Sequence, residues 1–334
     1  VVNGCPSHLL EPSRLQLIQY SEDFNNANWV KLGQGVGSTP IVTPNYAISP
    51  DGTLNASRLQ CDLNGGNTTS DRSWIYQSIS TITGDNTFSL YVKNNSNEDI
   101  AFSLTNGSSE TVVILSDDKW HRLSTVRSGG GQPRIGLIGG GGASDNADLL
   151  IYGAQVEQGS YPTSYIPNYG TSAGITRSAE TANGAGDAST FNDSEGVLMA
   201  EISALANGGI SRRISLNDES GTVNNRVSLE LDENLNTIKV FMVSNSVLVG
   251  NITITNIDQG QNNKIAIKYN ISSLDLYVNG FLKDTDNTIS SMPIGLSSLY
   301  FSEAEGSFDF YGSTKQLQYF DSALNDSDLE KITS

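Results

Sequence analysis

The sequence has 334 residues, which is longer than most single domains, so we expect two domains. Its 19 basic and 36 acidic side chains give a formal net charge of −17, which argues against nucleic acid and anionic lipid as main partners because both are bound by clustered lysine and arginine. Only 16% of the residues are charged, glycine is frequent, and no apolar run approaches the roughly 20 residues that cross a bilayer, so we expect an all-β chain without membrane insertion.

The first 19 residues show no regular apolar pattern and are predicted to form an irregular N-terminal segment, 1–19. The chain starts Val-Val-Asn-Gly without a signal peptide, which favours a fragment or a processed product. Cys5 and Cys61 are interpreted as unpaired thiols of a protein assembled in the cytoplasm, and a disulfide between them stays open. His8 and His121 lack partners at zinc-ligand spacing.

Short alternating segments recur in residues 20–167. In 87–93, for example, Phe88, Leu90 and Val92 share one face, and polar groups or tyrosine occupy the other. A period of two that is interrupted by glycine and asparagine clusters is typical of half-buried antiparallel strands. This part is predicted to be a β-sandwich.

The stretch 168–186 is small, polar and without apolar periodicity, so it is predicted to be a linker. The alternation resumes in 187–334, which is predicted to be a second β-sandwich. Asn279-Gly280 between two apolar runs predicts a hairpin with a type I′ turn. Residues 323–333 predict one short terminal helix, capped by Asn325 or Ser327.

Several phrases of the first half belong to a recognisable pattern: CPSHLLEPSRLQLIQYSEDFNNANW (5–29), SPDGTLNASRL (49–59), FSLYVK (88–93), W-x-R-L (120–123) and IYGAQVEQGSYPTSYIPNYGTSAGITRSAE (151–180). In their order they resemble the carbohydrate-binding-module-like jelly roll of phage tail and virion appendage proteins. The resemblance extends over nearly all of residues 5–180.

The second half carries SEGVLMAEI (194–202), KIAIKYN and LDLYVNGFLKDT (264–285), and FDFYGSTKQLQYFDSALNDSDLEKITS (308–334). These phrases are similar to concanavalin A-like, laminin-G-like domains. The combined resemblance implies a tail or head fibre module that is part of an extracellular virion, binds host-surface polysaccharide, contacts other virion proteins and forms a homotrimer. There are two alternatives: a purely structural virion protein, and a secreted bacterial protein that binds or cleaves polysaccharide.

Glu230 and Asp232 fit the start of the Glu-x-Asp-x-(x)-Glu motif of concanavalin A-like glycoside hydrolases. The second catalytic glutamate would fall on Asn234 or Leu235, and neither side chain supplies a carboxylic acid. We therefore interpret these acids as the solvated face of a hairpin and expect no enzymatic activity.

Sugar recognition needs flat aromatic faces and polar groups that bond hydroxyls. Alternation in three strands of the first domain places six such side chains on non-core faces, and on one concave sheet they would form a glycan-binding groove. They are Trp74, Tyr76, Tyr91, Lys93, Trp120 and Arg122. The alternative is that these aromatic residues pack under loops, under the N-terminal segment or against a neighbouring subunit. Trp29 is interpreted as a packing residue.

Structural calcium is the one metal we consider, because loop carboxylates suit a hard cation and the resembled folds often hold one. Asp51, Asp145 and Asp148 are the candidates in the first domain, and Asp218 and Glu219 in the second. No other cofactor is expected.

Overall fold

The computed structural model describes residues 7–79, 83–107, 111–218, 223–303 and 307–334. Across these ranges the chain is nearly all β, which confirms the predicted fold class. It divides into two compact units. The first unit is Ser13–Ser178, and the second joins the described residues up to 12 with Ala179–Ser334. In these ranges no helical segment has the length and apolar character of a membrane span.

Twenty-four strands and one helix are assigned in the described ranges. The first thirteen are β1 (His8–Leu10), β2 (Arg14–Gln16), β3 (Val30–Gln34), β4 (Ile41–Ile48), β5 (Leu54–Asp62), β6 (Arg72–Tyr76), β7 (Asp85–Asn94), β8 (Ile100–Thr105), β9 (Thr111–Leu115), β10 (His121–Ser128), β11 (Arg134–Ile138), β12 (Asn146–Gln158) and β13 (Ile175–Arg177). The others are β14 (Asn183–Ala185), β15 (Glu195–Ala204), β16 (Arg212–Asp218), β17 (Arg226–Leu231), β18 (Ile238–Ser244), β19 (Val247–Ile254), β20 (Asn263–Asn270), β21 (Leu274–Val278), β22 (Phe281–Asp286), β23 (Leu296–Tyr300), β24 (Gly312–Phe320) and α1 (Asp326–Thr333).

Two five-stranded antiparallel sheets form the first unit. The front sheet has the order β10-β7-β12-β5-β4, and the back sheet has the order β3-β6-β11-β8-β9. The chain repeatedly changes sheet between β3 and β12, as in a jelly roll. The predicted inward residues Phe88, Leu90 and Val92 of β7 are fully buried, and Ile75 of the back sheet belongs to the same core. The period of two therefore predicted this core correctly.

The second unit is built from two six-stranded sheets, ordered β1-β24-β15-β20-β21-β22 and β14-β23-β16-β17-β18-β19. Asn279 and Gly280 have φ of 50° and 82° and join β21 to β22, which confirms the predicted hairpin. The predicted terminal helix is present as α1. Asn325 is its N-cap and accepts a hydrogen bond from the Asp328 N–H at 3.0 Å, while Leu329 is buried against the first of the two sheets.

The structure differs from the predicted segment boundaries. β1 lies in the stretch expected to be irregular and pairs with β24, so it belongs to the second unit. β2 pairs with β13, which lies in the expected linker, and Arg14 is opposite Arg177. Strands of three residues are too short to display a period of two, so sequence alternation could not reveal them.

Cys61 lies on β5 and is a free, buried thiol whose pKa is raised to about 12 by burial. The thiol therefore stays protonated and inert at neutral pH. Cys5 lies outside the described residues, so the question of a disulfide stays a prediction.

Candidate functional site

The predicted groove does not form, because its members lie on two different sheets. The back sheet carries Trp74 and Tyr76 on β6, whereas the front sheet carries Tyr91 and Lys93 on β7, Arg122 on β10 and Trp120 immediately before β10. Alternation correctly indicated which side chains leave the core, but it does not reveal which sheet a strand joins. The expectation of one shared concave sheet was wrong.

Trp74 illustrates the difference most clearly. Its side chain points away from the core, as predicted, yet only 3% of the residue is exposed. The guanidinium groups of Arg72 and Arg134 lie 4.9 and 4.4 Å from the centre of the indole ring. These contacts occupy the ring that we expected to stack on a sugar.

Two of the predicted residues, both on the front sheet, contact a cluster of tyrosines that the sequence analysis did not identify. Arg122 and Tyr91 are cross-strand neighbours, and the guanidinium lies 5.4 Å from the ring centre. Tyr91 is in turn opposite Tyr152 of β12, with 6.0 Å between the ring centres. The outer face of the front sheet therefore presents a row of tyrosines.

At the end of this row, tyrosine hydroxyls meet two carboxylates. Tyr152 donates to Asp51 at 2.8 Å and lies 3.4 Å from a carboxylate oxygen of Glu22. Tyr165, whose ring centre is 5.5 Å from that of Tyr152, donates to Glu22 at 3.1 Å. Burial and the neighbouring carboxylates raise the pKa of both tyrosines far above the usual value, so their hydroxyls stay protonated and act as donors.

A pocket of about 480 Å³ opens beside this cluster. Its lining combines aromatic rings, amides and carboxylates, and consists of Tyr20, Glu22, Asp23, Asn25, Pro44, Asn45, Asn55 and Tyr169. The rim residue Tyr169 is 72% exposed, although its hydroxyl lies 3.5 Å from Glu22. The pocket thus offers a flat ring beside converging polar groups.

Asn55 in the pocket wall is held by its amide nitrogen. This nitrogen donates to Asp51 at 3.1 Å and to Glu22 at 3.3 Å. The amide oxygen is buried and has no hydrogen-bond partner in the described part of the chain. A buried acceptor without a donor is costly to the folded state.

The backbone around the pocket adopts an uncommon conformation. Tyr20 and Asn45 have φ of 49° and 52°, in the left-handed region that bulky residues seldom occupy. Trp29, which is 1% exposed as the packing interpretation predicted, donates its indole N–H to the Tyr20 carbonyl at 3.0 Å. Gly170 leaves room for the Tyr20 ring, because a Cβ there would lie 2.7 Å from a ring carbon. Strain of this kind often accompanies binding sites.

The pocket was missed in the sequence because it draws on segments far apart in the chain. Tyr20 to Asn25 precede β3, Asn45 lies in β4, and Tyr169 follows β12. No local spacing connects these positions. The signal that could have pointed to them is the number of tyrosines in the phrase at 161–169, whose members were not considered as ligand contacts.

The three calcium candidates of the first unit do not meet. Asp51 lies just before the first residue of β5. Asp145 lies near the other end of this strand, where its carbonyl accepts a hydrogen bond from the N–H of Leu63. The two residues are therefore far apart, because the nine residues of β5 span about 30 Å. Asp148 forms a bidentate pair with Arg58, with contacts of 2.9 and 2.6 Å. Over the described ranges, no three His, Cys, Asp or Glu side chains are arranged to hold a metal ion.

The oxygens of Asp51 are already engaged. One accepts from the Ser49 hydroxyl and the Thr53 N–H, each at 2.7 Å, and the other accepts from Tyr152 and Asn55. This residue set does not fit a calcium ion. In the second unit, Asp218 accepts from Asn225 at 3.0 Å, and Glu219 lies outside the described residues.

Asp51 gives the first unit an acid sensitivity that can be measured. The hydroxyls of Ser49 and Thr53 hold the pKa of Asp51 well below its usual range. A depressed folded pKa contributes stability that is present above about pH 4 and is lost as the pH falls through the folded value. We expect Asp51→Asn to reduce the dependence of the unfolding free energy on pH below pH 4. The check is denaturant unfolding at pH 7, 4, 3 and 2, with Asp23→Asn as the control. A parallel pH profile for wild type and Asp51→Asn would contradict this expectation.

Glu230 and Asp232 are not the solvated hairpin face that we expected. They are 2% and 1% exposed. Glu230 pairs with Arg213 of β16, and Asp232 pairs with Lys239 of β18. Burial raises the pKa of Glu230. The expectation failed because their partners come from neighbouring strands, and these ion pairs leave the two acids without access to a substrate.

No protein-family model and no curated protein matches the sequence. Among solved structures, the chain is similar to the CBM40 module of Ruminococcus gnavus IT-sialidase bound to α2,3-sialyllactose (16% identity, 46% of this chain and 97% of that chain, TM-score 0.38). It is also similar to the mouse laminin α1 chain, domains LG4-5 (12% identity, 78% and 90%, TM-score 0.29). A third similarity is to the botulinum neurotoxin type G receptor binding domain (10% identity, 97% and 50%, TM-score 0.28). At these identities and TM-scores, the similarities carry no argument about what the chain binds.

Proposed function

We propose that the first unit binds glycan through the pocket beside Tyr169 and Asn55. The observation that carries the proposal is the exposed ring of Tyr169 in a pocket whose lining also includes three asparagines and two carboxylates. The apolar face of a sugar ring packs on an aromatic ring, while its hydroxyls donate to amide and carboxylate oxygens. Glu22, Asn25 and Asn45 supply further polar groups in the same pocket.

The proposal is for binding without catalysis. The pKa of Asp51 is held low, so this carboxyl is a poor proton donor near neutral pH. Tyr152 lies between Asp51 and Glu22, but its raised pKa makes it a poor nucleophile. In the second unit, Glu230 and Asp232 are buried in ion pairs. These features support a non-enzymatic module.

The proposed setting is a virion appendage, a tail or head fibre that contacts host-surface polysaccharide and other virion proteins and acts outside the host cell. It rests on the sequence resemblance of residues 5–180 to such proteins. A purely structural role in the virion is a second candidate. The burial of Trp29, which belongs to the resembling phrase at 5–29, favours it, as does the burial of Trp74, because both residues serve packing.

Tyr169→Ala is expected to weaken glycan binding by about tenfold, which corresponds to about 1.4 kcal/mol, because it removes the stacking surface of the pocket. Asn55→Ala is expected to have a similar effect. The measurement is binding of the purified chain to a glycan array and to candidate host cells. Phe281→Ala is the matched control, since it removes another exposed aromatic side chain, from the second unit.

Wild-type binding by both pocket variants would show that the pocket is not the site. If the folded wild-type chain binds no glycan and no host cell, the structural candidate is favoured instead. Thermal unfolding of each variant ensures that lost binding is not lost folding.

A further inference from the structure

The lining of the pocket is strongly biased in charge. Glu22 and Asp23 contribute two carboxylates and Asn25, Asn45 and Asn55 contribute amides, while none of the described lining residues is lysine or arginine. The carboxylate of Asp51 lies directly behind Asn55, at 3.1 Å from its amide nitrogen. Two negative groups therefore line the pocket, and a third lies behind one of its walls.

Two cations of the first unit have contacts of their own. Lys31 donates its ammonium group to the backbone carbonyls of Asn25 and Trp29, at 3.1 and 3.2 Å. Arg58 is held in its bidentate pair with Asp148. Lys31 keeps its charge and interacts with Asp23, so it offsets part of the negative charge, and the carboxylates of the pocket remain in excess.

The hydrogen-bonding character of the pocket points in the same direction. The carboxylates of Glu22 and Asp23 are acceptors only, so they favour ligand groups that donate hydrogen bonds. Hydroxyl and ammonium groups are donors, whereas an ionised carboxylate or sulfate has none. Burial is the largest cause of the raised pKa of Tyr169, and the nearby carboxylates raise it further, as expected where the local potential is negative.

We propose that this pocket selects sugar units by charge. It accepts units that carry hydroxyl and amino groups and rejects units that carry a carboxylate or a sulfate. The inference rests on the proposed glycan-binding function and specifies its ligand class. A like charge placed against an acidic site is a recognised source of specificity.

The test compares glycans that differ mainly in charge. The probes are lactose with sialyllactose, galactose tetramer with galacturonic acid tetramer, and N-acetylglucosamine tetramer with glucosamine tetramer, placed on an array with other host glycans. We expect each acidic member to bind at least about tenfold more weakly than its neutral partner, and the glucosamine tetramer to bind most tightly of its pair. Glu22→Gln keeps an acceptor oxygen but removes one charge, so it should reduce each difference severalfold.

The outcomes separate this inference from the proposed function. Preferred binding of acidic glycans that is lost in Tyr169→Ala would overturn charge selection and leave the glycan site in place. Binding unaffected by Tyr169→Ala would overturn the assignment of the pocket and therefore both proposals. The absence of binding to any glycan would do the same. Equal preferences in wild type and Glu22→Gln would also overturn charge selection.

Discussion

Replacing Gln16 with leucine is expected to lower the unfolding free energy of the first unit by about 4 kcal/mol. Gln16 is fully buried, and its amide nitrogen donates to the carbonyls of Ala154 and Ile166 at 2.8 and 3.3 Å. Its amide oxygen accepts from the N–H groups of Ile18 and Val156, both at 3.0 Å. Leucine would leave four backbone groups without these bonds, and each buried unsatisfied group costs about 1–3 kcal/mol.

Denaturant unfolding, followed by a probe within the first unit, measures this effect. Gln34→Leu is the matched control, since Gln34 is exposed and the same substitution there should change stability by less than about 0.5 kcal/mol. A loss below about 1 kcal/mol for Gln16→Leu would show that the backbone groups find other partners.

Trp29→Ala is expected to cost the first unit about 4 kcal/mol and to abolish glycan binding. The ring is buried against Phe24, with 4.9 Å between the ring centres, and truncating a buried tryptophan typically costs about 3–5 kcal/mol. The same substitution removes the N–H that bonds the carbonyl of Tyr20, whose left-handed backbone forms one wall of the pocket.

Trp29→Phe separates the two contributions. Phenylalanine retains much of the apolar contact but lacks the N–H donor, so we expect a smaller stability loss together with clearly weaker glycan binding. Trp120→Ala is the control, because Trp120 is only partly buried and does not line the pocket. Unchanged binding by Trp29→Phe would show that the hydrogen bond to Tyr20 does not shape the site.

Local rules predicted what depends on neighbours in sequence. The inward side chains of β7, the positive φ at Asn279-Gly280 and the cap at Asn325 each follow from a few adjacent residues, and the structure has all three. The β-sandwich class follows from many such segments together.

Features that depend on contacts between distant segments could not be predicted from the sequence. Trp74 was assigned to the correct face but to the wrong sheet, because strand order is set by contacts across the whole unit. Glu230 was expected in solvent because its partner, Arg213, lies seventeen positions away in the sequence. Only the register of β16 and β17 shows that the two residues are neighbours. Gln16 was part of a segment expected to be irregular, although three of its four bonds join parts of the chain separated by about 140 to 150 residues. The pocket belongs to this same class.

The pairing of Arg14 with Arg177 has a consequence for how this chain can change over evolution. Both ends of the first unit leave it side by side, and on the other side of the junction Glu11 and Glu180 are joined through a backbone hydrogen bond of 3.0 Å. A gene segment that encodes residues 13–178 is therefore an exchangeable cassette. Another domain with adjacent termini could replace it while β1 stays paired with β24, so that the proposed glycan recognition could be exchanged by recombination without redesign of the second unit.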